Sequence, residues 1–121
     1  MCFRSSTGFT IRVGRNNIQN DVLTLKNSAK TDVWLHAQEI HGSHVIISCA
    51  GTQPDEGTLM EAAALAAYYS QARDSGKVPV CYTLVKHVKK PNGARPGMVI
   101  YTDYKTIYAE PSEELVNRLK A

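Results

Sequence analysis

Residues 54–73, PDEGTLMEAAALAAYYSQAR, contain the strongest helical pattern of the chain. From residue 59 onward neither glycine nor proline interrupts it, and apolar residues recur at the spacing of one helical face: Leu59, Ala62, Ala63, Ala66, Tyr69 and Ala72. Pro54 and Asp55 precede the pattern as a capping signal, and Gly76 follows it at a C′ position. The segment therefore predicts one long helix over 59–73. Its alanine-rich face predicts close packing on a sheet.

Short strand patterns surround this helix, at 9–13, 32–37, 43–49, 79–88, 98–101 and 105–109. The last two are separated only by Thr102-Asp103-Tyr104, which predicts a hairpin turn. A short helix at 20–26, capped by Asn16 or Asn20, and a C-terminal helix at 112–120 complete the pattern. Because strands and helices do not alternate, the sequence predicts an α+β fold with a largely antiparallel sheet packed by one long Ala-rich helix. We expect a single domain, 1–121, with its core at roughly 9–110.

Composition excludes several classes of protein. The 121 residues are 43% hydrophobic and 21% charged, which is typical of a globular domain rather than a disordered chain. The three cysteines have no CxxC spacing, so neither a disulfide framework nor a zinc knuckle is indicated. The first residues contain no apolar segment of signal-peptide length, and no run is long enough to span a membrane. We expect a cytoplasmic protein without membrane association, metal or cofactor.

The segment from Lys86 to Gly97, KHVKKPNGARPG, combines positive charge with loop-forming residues. Lys86, Lys89, Lys90 and Arg95 are its cations, and lysine and arginine neutralise phosphates of nucleic acids. Its prolines and glycines predict an ordered loop with accessible backbone amides. A solvated basic loop without a ligand is the alternative, and charge alone favours that alternative.

A second polar segment, Gly14 to Asp21, carries an arginine, three asparagines and a glutamine ahead of the predicted short helix. Backbone amides at a helix start attract anions, and these side chains add further hydrogen-bond donors. Ordinary turn and capping chemistry explains the same residues equally well. The two interpretations stay open here.

Histidines and aromatic residues allow further hypotheses. With a turn near Ile40, strand alternation places Trp34 and His36 on the same face as His44. A metal site is disfavoured because no Cys, Asp or Glu completes a familiar ligand set. A catalytic pair of His36 or His44 with Asp32 or Glu39 is conceivable. The six tyrosines are expected to be mainly core residues, with Tyr104 the best candidate for base stacking.

Six blocks of sequence, in this order and spacing, resemble the NFACT-R domain, an RNA-binding module of ribosome quality-control proteins. The blocks are Val13–Asn17 with Gln19–Asp21 and Leu23-Thr24; Trp34–His36; Gly42–Val45; Glu61–Ala63 through Ala67–Ser70 and Ala72-Arg73; Val78–Val80 with Tyr82-Thr83; and Lys86–Pro91 with Gly93 and Pro96-Gly97. The resemblance covers residues 9–110. Position 41 departs from it, because His41 stands where proline is expected in many relatives.

The resemblance implies an RNA-binding function without catalysis. In the full-length proteins the module helps to hold tRNA on the large ribosomal subunit during tailing of stalled chains. We expect a stand-alone module here, so ribosome anchoring and tail elongation are not carried over. The residues expected to contact RNA, or to frame those contacts, are Arg15, Asn16, Asn17, Gln19, Asn20, Asp21, Trp34, His36, Ser43, His44, Lys86, His87, Lys89, Lys90 and Arg95.

Three functions therefore remain as hypotheses. The first is a module that binds tRNA or rRNA in translation or ribosome quality control. The second is a subunit of an RNA-modifying or RNA-cleaving enzyme that uses His36 or His44. The third is a fibronectin- or fibrinogen-binding adhesin, a label often given to full-length relatives, against which the expected lack of a signal peptide argues.

Overall fold

The computed structural model describes all residues, 1–121, as an α+β domain, which confirms the predicted fold class. Its strands are β1 (Cys2–Arg4), β2 (Thr10–Val13), β3 (Val33–Ala37), β4 (Val45–Ser48), β5 (Val78–Leu84), β6 (Val88–Lys89), β7 (Ile100–Tyr101) and β8 (Lys105–Ala109). Its α-helices are α1 (Asn17–Asp21), α2 (Glu56–Tyr68) and α3 (Glu113–Leu119). A π-helical turn, Val22–Lys26, extends α1, and a 3-10 turn, Val85–His87, joins β5 to β6.

Six strands form one sheet in the order β1-β2-β4-β3-β5-β8, and every neighbouring pair is antiparallel. The separate β6–β7 ladder is also antiparallel. Alternation along β3 divides its side chains between the two faces of the sheet. Val33 and Leu35 point toward the main core with α2, whereas Trp34 points to the opposite face.

Helix α2 covers one face of the sheet through its alanines. The Asp55 carboxylate caps its start by accepting the Thr58 N–H at 3.0 Å, as the sequence predicted. All six residues from Ala62 to Ala67 are buried, because α3 also packs on α2 and contributes Val116 and Leu119 to the same core. The small methyl side chains let the helix approach both neighbours closely.

A second layer covers the opposite face of the sheet. Trp34, Ile46 and Cys81 project from the central strands and pack beneath Leu23, Val85 and Val88. Leu23 comes from the π-helical turn and Val88 from β6, so this layer is built from short irregular segments. Those segments are the ones that carry the polar and basic residues singled out above.

Several predicted boundaries were wrong. Helix α2 ends at Tyr68 instead of Arg73, so Gly76 is not its C′ residue. The segments 98–101 and 105–109 do not form a hairpin, because β7 pairs with β6 whereas β8 pairs with β5. Strand β5 ends at Leu84, and β1 was not predicted. Of the two predicted caps, Asn16 is confirmed, since its side chain accepts the Gln19 N–H at 2.9 Å.

The ends of the chain pack against each other. Phe3 forms an antiparallel bridge with Lys120, and the Ser112 side chain caps α3 by accepting the Leu115 N–H at 3.1 Å. Cys49 and Cys81 are buried free thiols, as expected for small apolar residues, and Cys2 is exposed. None of the helices has the length and apolar character required to cross a bilayer.

Candidate nucleic-acid interface

The polar segment of residues 14–21, called the Asn-rich segment below, is attached to the start of β4 by a buried amide. Asn20 is 2% exposed, and its Oδ1 accepts the backbone N–H of His44 at 3.1 Å. Gly14 packs on the same side chain, since a Cβ at position 14 would overlap Asn20 Oδ1. Asn20 therefore holds two segments in register.

The His44 ring connects this segment to the basic loop of residues 86–97, also called the Pro-Gly loop. Its Nδ1 lies 2.8 Å from Thr24 Oγ1, and its Nε2 lies 3.2 Å from the Gly97 carbonyl oxygen. Burial, and secondarily the neighbouring His36, lowers the pKa of His44 to about 4. The ring is therefore neutral at pH 7. Because a carbonyl oxygen only accepts, Nε2 carries the proton and Nδ1 accepts from the Thr24 hydroxyl.

Gly97 seats the loop on the Asn-rich segment. Its backbone has φ +84°, and a Cβ there would lie 2.7 Å from Asn17 Oδ1, so both conformation and space require glycine. Its N–H donates to Asp21 Oδ1 at 3.0 Å. Asp21 Oδ2 in turn pairs with Lys90 Nζ at 3.2 Å. The two segments therefore lie on one side of the molecule.

Lys90 is consequently part of the scaffold. Besides its pairing with Asp21, its ammonium donates to the carbonyl oxygens of Arg95 at 2.6 Å and Met98 at 3.2 Å. These three partners occupy all three N–H donors of the Lys90 ammonium, and the bonds to Arg95 and Met98 tie the two ends of the loop together. Asp21 and Lys90 neutralise each other, so neither contributes a free charge to a polyanion.

The chain after α2 turns back to meet the residues before β4. Tyr69 O accepts the Ser43 N–H at 3.0 Å, and the Gln71 N–H donates to His41 O at 3.0 Å. These bonds replace the continuation of the helix and explain why it stops at Tyr68. They also bring Arg73 to this surface, where its guanidinium lies 3.9 Å from the centroid of the Tyr68 ring.

Two adjoining depressions result, with volumes of about 510 and 540 Å³. Their linings share Asn17, His41, Gly42 and Gln71. Arg15 and Arg73 line the first depression, and Arg95 lines the second. None of the three arginines forms a salt bridge. We call the combined surface the arginine groove.

The predicted site residues divide into four groups. Those exposed to solvent are Arg15, Asn16, Asn17, Gln19, Lys86, Lys89 and Arg95. Those that build the frame are Asn20, Asp21, Trp34, His44 and Lys90. His36 and Ser43 line the groove and are half-buried. His87 lies elsewhere, with its Nδ1 3.4 Å from Asp103 in another depression.

Sequence reasoning missed several groove residues, namely Tyr69, Gln71, Arg73 and Tyr101 as lining side chains. Arg73 was predicted to be the last residue of the long helix. Nothing in the local pattern indicates the turn at Ser70, because that turn depends on hydrogen bonds to residues 41–43. His41, a weak candidate from its departure at that position, does line both depressions.

The structure does not form the pairs considered for catalysis, His36 or His44 with Asp32 or Glu39. Asp32 uses its two oxygens to accept the N–H groups of Ala29 at 2.9 Å and Cys49 at 3.0 Å. His36 Nδ1 lies 2.6 Å from the Ala37 carbonyl, and burial lowers the pKa of its ring. Glu39 bonds to neither His36 nor His44. Both histidines are thus held by uncharged partners.

Comparisons with known proteins agree on one family. The chain is 51% identical over 118 residues to the Rqc2 homolog RqcH of Bacillus subtilis (strain 168), and 44% identical over 119 residues to that of Streptococcus pneumoniae strain D39. These matches cover 98% of this chain but only 20% and 21% of the relatives. The chain thus spans about one-fifth of their length.

A solved structure has the same fold. It is the C-terminal part of the fibronectin/fibrinogen-binding protein from Streptococcus suis, with a TM-score of 0.95 and 40% identity, and the match covers 99% of this chain and 48% of that one. The family model described as NFACT protein RNA binding domain matches residues 1–103. The resemblance seen in the six sequence blocks is confirmed, and the chain belongs to the NFACT RNA-binding domain family.

Proposed function

We propose that this chain binds tRNA or rRNA in the cytoplasm during ribosome quality control, and that the arginine groove is the surface that holds the RNA. Membership of an RNA-binding family and the relatives named RqcH support the context. The observation that carries the choice of surface is the placement of Arg15, Arg73 and Arg95 around one concavity without carboxylate partners.

Arginine suits this role because its planar guanidinium presents a fork of donors that matches phosphate oxygens. Stacking on Tyr68, together with a 2.7 Å hydrogen bond from Arg73 Nε to the Tyr68 carbonyl, holds one guanidinium in place before binding. A side chain that is already ordered loses less conformational entropy when it contacts a phosphate. Lys86 and Lys89 are also exposed and add positive charge to the domain.

We further propose that the chain acts by binding and not by catalysis. A general acid or base must reach the proton it transfers. His44 is 1% exposed, and both of its ring nitrogens are engaged. The asparagine and glutamine side chains near the groove can form hydrogen bonds to a ligand. The groove contains no nucleophile with a neighbouring base that would activate it.

The test is an RNA titration of charge-reversal variants over a range of salt concentrations. We expect Arg15→Glu and Arg73→Glu each to weaken binding about tenfold or more, the equivalent of one charge-assisted hydrogen bond. The slope of log K against log salt should become shallower by roughly 0.7–0.9 for each phosphate that the variant no longer neutralises. Lys77→Glu is the control, since this exposed lysine lines neither depression and has no side-chain bond.

Unchanged affinity of both arginine variants would refute the groove as the RNA surface. Reversal of Lys90 does not serve this test, because its loss would disturb the loop itself. Lys89→Glu is the better probe of the loop. It changes an exposed charge that has no partner in the fold.

One alternative retains a specific observation, the name of the solved Streptococcus suis relative as a fibronectin/fibrinogen-binding protein. A direct comparison separates the two functions. If the chain bound fibrinogen with an affinity that Arg73→Glu left unchanged, and failed to bind tRNA or rRNA, the adhesin function would replace the proposal.

A further inference from the structure

The second depression, beneath the Pro-Gly loop, has a different wall from its neighbour. Aromatic rings form much of it, with the centroids of Trp34 and Tyr101 4.8 Å apart. His36 stacks on Trp34 at 5.8 Å with an interplanar angle of 6°. Met98 and Val99 add apolar surface from the loop side. Its volume of about 540 Å³ lies within the range of pockets that bind small molecules.

The same wall contains a buried donor without an acceptor. Trp34 is 1% exposed, and its indole Nε1 has no hydrogen-bond partner. Buried N–H groups in native proteins are nearly always paired, so an unpaired one in the lining of a cavity is available to an acceptor that enters the cavity. The partner must be a hydrogen-bond acceptor, because an indole N–H only donates.

The rim offers groups of both kinds. Arg95, Asn17 and Gln71 supply donors, and the Glu39 carboxylate supplies an acceptor. A flat heteroaromatic ring with donors and acceptors on its edge matches this arrangement of aromatic walls and polar rim. A phosphate alone does not, since it has no surface to place against the rings.

We propose that this cavity, the base pocket, receives one unpaired base of the bound RNA. The base lies against Tyr101 and accepts a hydrogen bond from the Trp34 N–H, while Arg95 at the rim and Arg15 and Arg73 in the adjoining depression hold the flanking phosphates. The inference rests on the proposed function and deepens it, because it makes the substrate class RNA with at least one unstacked nucleotide instead of a continuous duplex. Stacking of unpaired bases on aromatic side chains is a general means of RNA recognition.

Trp34 is the single tryptophan of the chain, so its fluorescence reports on the base pocket directly. The first experiment titrates the protein with guanosine 5′-monophosphate and, as the matched control, with ribose 5-phosphate. We expect the nucleotide to change the Trp34 emission in a saturable manner and the sugar phosphate to leave it unchanged. Equal responses to the two compounds would overturn the base pocket, whether or not the protein binds RNA.

The second experiment compares two substitutions on adjacent residues of the loop and β7. Val99→Phe fills the cavity, whereas Ile100→Phe adds the same ring at a position that is 58% exposed and does not line it. We expect Val99→Phe to weaken binding of single-stranded RNA at least fivefold relative to Ile100→Phe, with duplex binding unchanged. Arg73→Glu should weaken both. An equal affinity of the two phenylalanine variants for single-stranded RNA would contradict the inference.

The two proposals fail differently. If the unmodified protein showed no salt-dependent RNA affinity, the proposed function would be refuted, while a nucleotide-specific change in Trp34 emission would still demonstrate the pocket. Retained RNA affinity without that change would remove the pocket alone. If Val99→Phe does not fold, as judged by its unfolding transition, the comparison of nucleotide with sugar phosphate on the unmodified protein decides the question.

Discussion

Replacement of Gly97 by alanine tests how firmly the basic loop is seated on the Asn-rich segment. The backbone at Gly97 has φ +84°, where an alanine costs roughly 1 kcal/mol. The new Cβ would also stand 2.7 Å from Asn17 Oδ1, so the loop or the asparagine must move. Such a movement stretches the bonds of Gly97 to Asp21 and His44, worth about 1 kcal/mol each.

The expected loss for Gly97→Ala is therefore about 2–3 kcal/mol in the free energy of unfolding, or a Tm lower by roughly 10 °C for a domain of this size. Gly93→Ala is the matched control in the same loop. Gly93 has φ +77°, but a Cβ there meets nothing within 4 Å, so only the backbone cost of about 1 kcal/mol applies.

Urea and thermal unfolding of the two variants measure the difference. Tertiary seating of the loop predicts that Gly97→Ala is less stable than Gly93→Ala by at least about 1 kcal/mol. Equal stabilities would show that the contacts of Gly97 with Asn17, Asp21 and His44 contribute nothing, and that the loop is held only by its own conformation. The RNA affinity of Gly97→Ala should fall as well, since Arg95 is carried by the same loop.

Three further predictions concern the frame of the groove. The pKa of His44 is about 4 in the folded protein and 6.5 in the unfolded chain, so only the unfolded chain takes up a proton between these pH values and the free energy of unfolding falls as the pH drops below 6.5. We expect a loss of about 2 kcal/mol between pH 7 and pH 5 in urea unfolding. A stability that does not change in that window would contradict the prediction. Lys90→Ala should destabilise the fold by about 1–3 kcal/mol because it leaves the half-buried Asp21 carboxylate without its cation. The control Lys89→Ala should change the free energy of unfolding by no more than about 0.5 kcal/mol, and equal unfolding midpoints of the two variants would refute the scaffold role of Lys90. Gly14→Ala should cost about 1–3 kcal/mol through overlap with Asn20, because Gly14 has no positive φ and the steric overlap is its main cost. A Gly14 variant as stable as the unmodified protein would show that the Asn20 amide can move aside.

Local patterns predicted the parts of the fold that depend on neighbouring residues. The alanine face of α2 and the Asp55 cap are properties of one short segment, and both are present in the structure. The position where α2 ends depends instead on two backbone hydrogen bonds with a segment some 30 positions away: Ser43 N–H donates to Tyr69 O, and Gln71 N–H donates to His41 O. The sequence alone does not show that these distant backbone groups will pair.

Pairing of the late strands illustrates the same limit. A three-residue turn before β8 is compatible with a hairpin, but the edge of β5 offers Lys105–Ala109 a longer ladder, and β7 pairs with β6 across the basic loop. Prediction of the site was limited in the same way. Charge and turn chemistry identified the two segments that meet, whereas the internal use of Lys90 and the arrival of Arg73 depend on tertiary contacts.

The pairing of Lys90 with Asp21 has a consequence for how mutational data on such modules are interpreted. One cation of the loop is consumed in holding the loop shut, so the number of basic residues in the sequence exceeds the number of positive charges that a polyanion meets. A lysine scan scored only by retention of nucleic acid would rank Lys90 among the strongest contacts. The same scan scored by resistance to urea would instead assign Lys90 to the fold of the loop.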